Sequence, residues 1–177
     1  MVFTETELQG VYLIAPNLFE DERGFVAPSF SQREFEERRL TTCFVENNIS
    51  YNFRRGTLRG LHFQAAPYGQ AKLIRCTRGA IFDVAVDLRT DSPTLGKWVG
   101  FELTAENRLM MYLPGDMAHG FQTLEDNTEV FYQVSEFYRP EANRGWRWND
   151  SAFGIEWPLP GECIINPRDA TYPDFTA

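Results

Sequence analysis

The chain carries only two histidines, His62 in RGLHFQ and His119 in PGDMAHGF. An imidazole titrates near neutrality, so His62 is a candidate general base, a metal ligand or a packed core residue. Lys72 and Tyr132, on other segments that read as strands, are candidate acids or charge stabilisers. Arg23, Arg59 and Arg168 are the candidate sources of positive charge for an anionic ligand. Two histidines without clustered cysteines cannot make a structural zinc site, and the place where a His-x-His pair would sit reads His62-Phe63-Gln64. His62 and His119 with one carboxylate would still suit iron, which leaves a metal-dependent dioxygenase or isomerase as the alternative. No GxSxG elbow and no glycine-rich phosphate loop occurs. Proton transfer is the chemistry that remains. On spacing alone, a lone strand histidine is more often structural than catalytic.

Such dispersed residues need a scaffold that gathers distant segments, and the sequence supplies strands. In IFDVAVDLR (81–89), Phe82, Val84, Val86 and Leu88 take one parity and Asp83, Asp87 and Arg89 the other. That alternation predicts a strand with two unlike faces. Gly79 separates it from KLIRCTR (72–78), which predicts a hairpin or a sharp bend. GVYLIAP, TCFVENNISYN, GTLRGLHF, KWVGFELT, RLMMYLP, GFQTLE and TEVFYQVSEFY are further strand candidates. Ser31 and Glu34 in SQREFEERRL (31–40) form a capping-box pattern, predicting a short helix with Phe35 inward. The proline-rich residues from WPLPGE onward predict an irregular, extended C-terminal tail. Many short strands with few helices argue for an all-β, antiparallel sandwich or barrel of jelly-roll type.

Composition sets the outer limits. At 177 residues, with 43% hydrophobic and 15% aromatic residues, the chain suits a single domain over 1–177 with a sizeable core. A net charge of −8 argues against nucleic-acid or membrane-surface binding, so an anionic ligand must be met by a few converging cations. Three scattered cysteines, Cys43, Cys76 and Cys163, suit reduced thiols in a cytoplasmic protein. The opening MVFTETELQGVYLI lacks the pattern of a signal peptide, and no apolar run is long enough to span a bilayer.

The blocks GTLRGLHFQ, QAKLIRCTRGAIFDVAVDLR, SPTLGKW, LTAEN, LPGDMAHGFQTL, EVFYQVSEFYRPE and RWNDSAFGIEWPL resemble the dTDP-4-dehydrorhamnose 3,5-epimerase family, in order from about Arg23 to Asp169. The resemblance implies a cofactor-free cupin jelly roll, working as a homodimer with N-terminal strands exchanged between subunits. It implies a nucleotide-diphosphate 4-keto-6-deoxy sugar as substrate, inverted at C3, C5 or both. His62 matches the family's base, Asp169 the carboxylate that orients it, Lys72 the residue beside the C4 oxygen and Tyr132 the acid. Arg23 and Arg59 match diphosphate-binding positions; Asn48, His119 and Arg168 match further contacts, and Tyr138 an aromatic near the nucleotide base. The chain also departs from the pattern. Pro28 stands where a glutamate is usual, Glu46 where a glutamine is usual and Asn143 where another glutamate is usual, and ISYNFRRGTL is one residue longer. All four departures fall at nucleotide and sugar contacts. The resemblance therefore predicts retained proton chemistry on a nucleotide or sugar that differs from the usual one, with C3-only epimerisation also open.

Overall fold

The computed structural model describes residues 1–176. Its elements in chain order are β1 (Val2–Glu5), β2 (Tyr12–Ala15), β3 (Phe19–Asp21), β4 (Gly24–Val26), α1 (Gln32–Glu36), β5 (Glu46–Asn52), β6 (Leu58–Gln64), β7 (Lys72–Arg78), β8 (Ala80–Asp87), β9 (Trp98–Thr104), β10 (Met110–Leu113), β11 (Met117–Thr123), β12 (Thr128–Val134), β13 (Asn143–Gly145) and α2 (Pro167–Ala170). A six-stranded sheet runs β1-β2-β10-β7-β12-β5 and a five-stranded sheet β13-β6-β11-β8-β9, with β3 and β4 forming a separate hairpin. Neighbouring strands are antiparallel throughout both sheets. The result is a cupin-type jelly-roll sandwich with two short helices.

Gly79 is a bend and not a hairpin turn. β7 belongs to the six-stranded sheet and β8 to the five-stranded one, so the chain crosses between layers there. Its φ of +74° favours glycine, and a Cβ would lie 2.5 Å from Thr128 Oγ1. Ile74, Cys76, Ile81, Ala85, Met111, Phe121 and Val130 fill the space between the sheets. The alternation in β8 is real, but neither face meets water. Val84 and Val86 point outward under Phe153 and Trp157, while Asp83 and Asp87 point inward at 0% exposure. Asp87 is satisfied locally by Arg89, Ser92 and Thr94.

The helix at Ser31 is shorter than the sequence suggests. Ser31 accepts a bond from the Glu34 N–H, but the Glu34 carboxylate turns to the N-terminal amine at 2.7 Å, so only half of the capping box forms. Phe35 is buried against Phe3, Phe30, Phe44 and Tyr112, as its position predicts. The C-terminal tail is not wholly extended. Ile164 bridges Thr57, and Asn166 then caps the turn α2. Hairpin β3–β4 pairs with neither main sheet and exposes Phe19, Phe25 and Val26. The three cysteines are free thiols. No helix among the described residues is long and apolar enough to cross a membrane.

Candidate active site

In a regular strand, residues 59 and 62 point to opposite faces. In β6 both face the inter-sheet space, because the strand bulges against β11. His62 pairs with His119 and Arg59 with Phe121, so Gly60 and Leu61 together oppose Gly120. Leu58 and Leu61 pack outward instead. Gly60 has φ +129°, and a Cβ on it would lie 2.6 Å from Gly120 Cα, so only glycine fits the bulge.

Asp169, delivered by α2, fastens this bulge to the His62 ring. One carboxylate oxygen lies 2.9 Å from His62 Nε2, and the other accepts the Gly60 N–H at 3.1 Å. Burial alone would raise the Asp169 pKa, but the bonds from His62, Gly60 and Asn166 outweigh it and hold the carboxyl below its usual range. An ionised Asp169 makes His62 Nε2 the donor, which leaves the lone pair on Nδ1.

His119 stands beside His62 and makes a second, separate pair, with Nε2 at 2.7 Å from Asp83 Oδ1. Burial pushes the His119 pKa down against the pull of Asp83, which favours the neutral ring. The second oxygen of Asp83 is buried without a partner. Among the described residues, no three His, Cys, Asp or Glu side chains are grouped to hold a metal ion. The metal-dependent alternative built on His62 and His119 therefore lacks the third ligand side chain it requires among the described residues.

The opposite sheet supplies the other groups. Lys72 begins β7 on the same face as the core residues Ile74 and Cys76. Burial lowers its pKa to about 8, with Asp83 opposing the shift. Tyr132 on β12 packs against the inner core, and burial raises its phenol pKa; Arg59 pulls it down and Glu46 pushes it up. Asn48 and Glu46 lie on β5 opposite Tyr132 and Val134. Arg59 is exposed at its tip, but its Nε donates to Asn52 at 2.8 Å, which leaves the two terminal nitrogens free for a ligand.

Several expected residues sit at the margin. Asn143 opens β13 opposite Gln64, with its amide nitrogen buried and unpartnered. Arg168 on α2 reaches the hydroxyl of Tyr138, a residue 52% exposed. Arg23 is the exception. It lies at the tip of hairpin β3–β4, 85% exposed, and bonds only Asp21, so the chain by itself does not bring it to His62. Pro28 also lies elsewhere, lining a cavity of about 310 Å³ between that hairpin and the outer face of the six-stranded sheet.

Sequence reasoning missed Asp83, Asn52 and the role of Gln64. Asp83 had a signal, a carboxylate in the middle of a strand that is apolar apart from it and the terminal Asp87. Gln64, where a second metal-binding imidazole would stand, bonds Tyr68 O, Phe137 O and Arg139 N and so fixes the loop that carries Tyr138.

An imidazole paired with a carboxylate on one side thus faces an ammonium and a half-buried phenol on the other sheet. This arrangement suits removal of a carbon-bound proton beside a ketone and its return on the other side. The family model for dTDP-4-dehydrorhamnose 3,5-epimerase matches residues 5–177. A dTDP-4-dehydrorhamnose 3,5-epimerase of Sinorhizobium fredii is 43% identical over 175 residues, covering 99% of this chain and 90% of that protein. The crystal structure of dTDP-4-dehydrorhamnose 3,5-epimerase from Elizabethkingia anophelis is 41% identical, with a TM-score of 0.96, covering 99% of this chain and 96% of that one. The Legionella pneumophila dTDP-6-deoxy-D-glucose-3,5-epimerase, solved in complex with dTDP-4-keto-L-rhamnose, is 36% identical, with a TM-score of 0.92, over 98% of this chain and 92% of that one.

Proposed function

The chain belongs to the dTDP-4-dehydrorhamnose 3,5-epimerase family and is an isomerase of that type, and we propose that it acts on a nucleotide-linked 4-keto-6-deoxyhexose with His62 as base and Tyr132 as acid. The observation that carries this assignment is the placement of the two groups on facing sheets, one on each side of the space a sugar ring would occupy.

The protons on C3 and C5 are acidic because each carbon adjoins the C4 carbonyl. His62 Nδ1 takes one proton, the C–H electron pair moves into the C3–C4 or C4–C5 bond, and the carbonyl electrons move to O4. The Lys72 ammonium offsets the charge gathering on that oxygen, and Asp169 offsets the charge left on the imidazolium. Tyr132 then gives its proton to the opposite face, which inverts the centre. Its phenolate is held by Arg59, whose charge opposes the burial that raises that phenol's pKa, and it is reprotonated from solvent as His62 loses its proton. Arg59 and Arg168 provide guanidinium groups for the diphosphate, with Asn48, His119 and Asn143 around the sugar and Tyr138 under the base. Glu46, on the inner face beside Tyr132, and Asn143 are the departures placed to alter recognition.

The same reading makes the protein a cytoplasmic homodimer in which Arg23 serves the partner's site. Its support is the set of exposed apolar side chains on the β3–β4 hairpin, the exposed Ile49 on β5 and Phe53 just after it, and the buried, unpartnered Arg75 Nε beside the cavity that Pro28 lines.

The experiment is incubation in deuterium oxide with 4-keto-6-deoxyglucose linked to dTDP, CDP or GDP, read by NMR. Deuterium at C3 and C5 of the dTDP substrate is the expected result, because the similar proteins are named for dTDP sugars, and this sets aside the change of nucleotide that Pro28, Glu46 and Asn143 suggest. Label at C3 alone would make it a single epimerase, and label with only another nucleotide would move the substrate while keeping the chemistry. No label with any of them would overturn the proposal.

A further inference from the structure

One hydrogen bond to Asp169 fixes a single nitrogen of His62 and leaves the ring able to swing about it. A second contact restrains it. The ring of Tyr172 meets His62 edge-on, with centroids 5.9 Å apart and planes at 73°. Behind it lies Gly145, directly opposite His62 in the β13–β6 ladder. A Cβ on Gly145 would lie 2.3 to 2.6 Å from three atoms of the Tyr172 ring, so the ring rests on bare backbone. Tyr172 follows Asp169 by three residues on the same turn of the tail. The chain beyond it is tied down as well, by Asp174 to Arg147 and by the Phe175 N–H to Asp150. The tail thus cannot place Asp169 without also placing Tyr172.

We propose that Tyr172 is a positioning residue for the reaction, whose ring, seated on Gly145, braces His62 so that Nδ1 faces the sugar. The ring acts through the base and touches no reacting atom. Burial raises the Tyr172 phenol pKa, with Arg168 opposing, so the brace stays neutral and does not compete with Asp169 for the imidazolium. This inference rests on His62 being the base.

The test is chosen to separate the two ideas. Because the chain has only two histidines, ¹⁵N-histidine labelling gives four ring-nitrogen signals. They are read at about pH 9, well above the ordinary imidazole range. In the unaltered protein and in Tyr172→Phe, His62 is expected as one tautomer, protonated on Nε2. In Tyr172→Ala and in Gly145→Ala, which displaces the ring, the unbraced imidazole is expected to leave Asp169 for part of the time, and a mixture of tautomers results. kcat should then fall on the order of tenfold, with KM within about twofold. The His119 signals, held by Asp83 away from Tyr172, report an intact fold. A Tyr172→Ala protein with a single His62 tautomer and unchanged kcat overturns the brace. A Tyr172→Phe protein as impaired as Tyr172→Ala overturns it too, since the hydroxyl would then be the acting group. The tautomer readout needs no reaction, so it stands or falls separately from the identity of the base.

Discussion

Replacing His62 with alanine is expected to lower kcat by about 10²–10⁴ in a steady-state assay on the dTDP-linked keto sugar, with KM changed far less. On the proposed mechanism the imidazole contributes at the step that breaks the C–H bond, while binding energy comes mainly from the charges proposed to meet the diphosphate, at Arg59 and Arg168. His62→Asn is the sharper control, because its amide can still donate to Asp169 but cannot accept a carbon-bound proton. Equal losses in the two variants would assign the effect to the missing base. A large recovery in His62→Asn would assign it to the hydrogen bond that Asp169 otherwise loses. Asp169 itself keeps the Gly60 N–H as a donor in both variants, so the bulge of β6 should survive.

The second large effect is expected at Lys72. Exchange for methionine keeps most of the side-chain length and removes the charge, and loss of one group stabilising a developing oxyanion typically costs 10²–10³ in kcat. The charge also gives this residue a signature in pH. Burial brings the ammonium's pKa down to about 8, so the charged form is present below that value and lost above it. kcat/KM of the unaltered enzyme should therefore fall as pH rises through about 8, and that limb should be missing from Lys72→Met. The other groups near Lys72 do not mimic it. The phenol of Tyr132 is raised above its usual range and the imidazole of His119 is lowered below its own, so neither titrates toward the alkaline side at that point. A Lys72→Met enzyme that kept the same alkaline limb would show that another group owns it.

The residues proposed for proton transfer could be picked out in RGLHFQ, QAKLIR, EVFYQ and NPRDA from the family motifs they resemble, and the structure places His62 beside Asp169 on one side and Lys72 and Tyr132 on the facing sheet. The strands themselves followed from alternation, and IFDVAVDLR was the clearest of them. What alternation could not tell was which side meets water. β8 is covered outside by Phe153 and Trp157, so its acidic face is the interior one and Asp83 becomes a site residue. Nor does period-two reasoning survive a bulge: it separates Arg59 from His62, and the extra residue at Gly60 reunites them. The turn around Asp169 was hidden by prolines that suggest an extended tail, although Asn166 followed by Pro167 is a helix start in miniature. Arg23 shows a different limit: it stands at the exposed tip of the β3–β4 hairpin bonded only to Asp21, and the packing of its own chain gives it no ligand to meet.

Two-sided proton transfer makes a demand that no other assignment of these residues makes. In Tyr132→Phe the base is intact and the acid is gone, so the enolate can form but is reprotonated only from the side of His62. In deuterium oxide this variant should incorporate label beside the ketone while the substrate keeps its original configuration, whereas the unaltered enzyme labels and inverts together. NMR of the recovered sugar nucleotide reads both quantities in one sample. Label with retained configuration is the predicted result. Inversion at the unaltered rate, or no label at all, would contradict the placement of base and acid on opposite faces of the sugar.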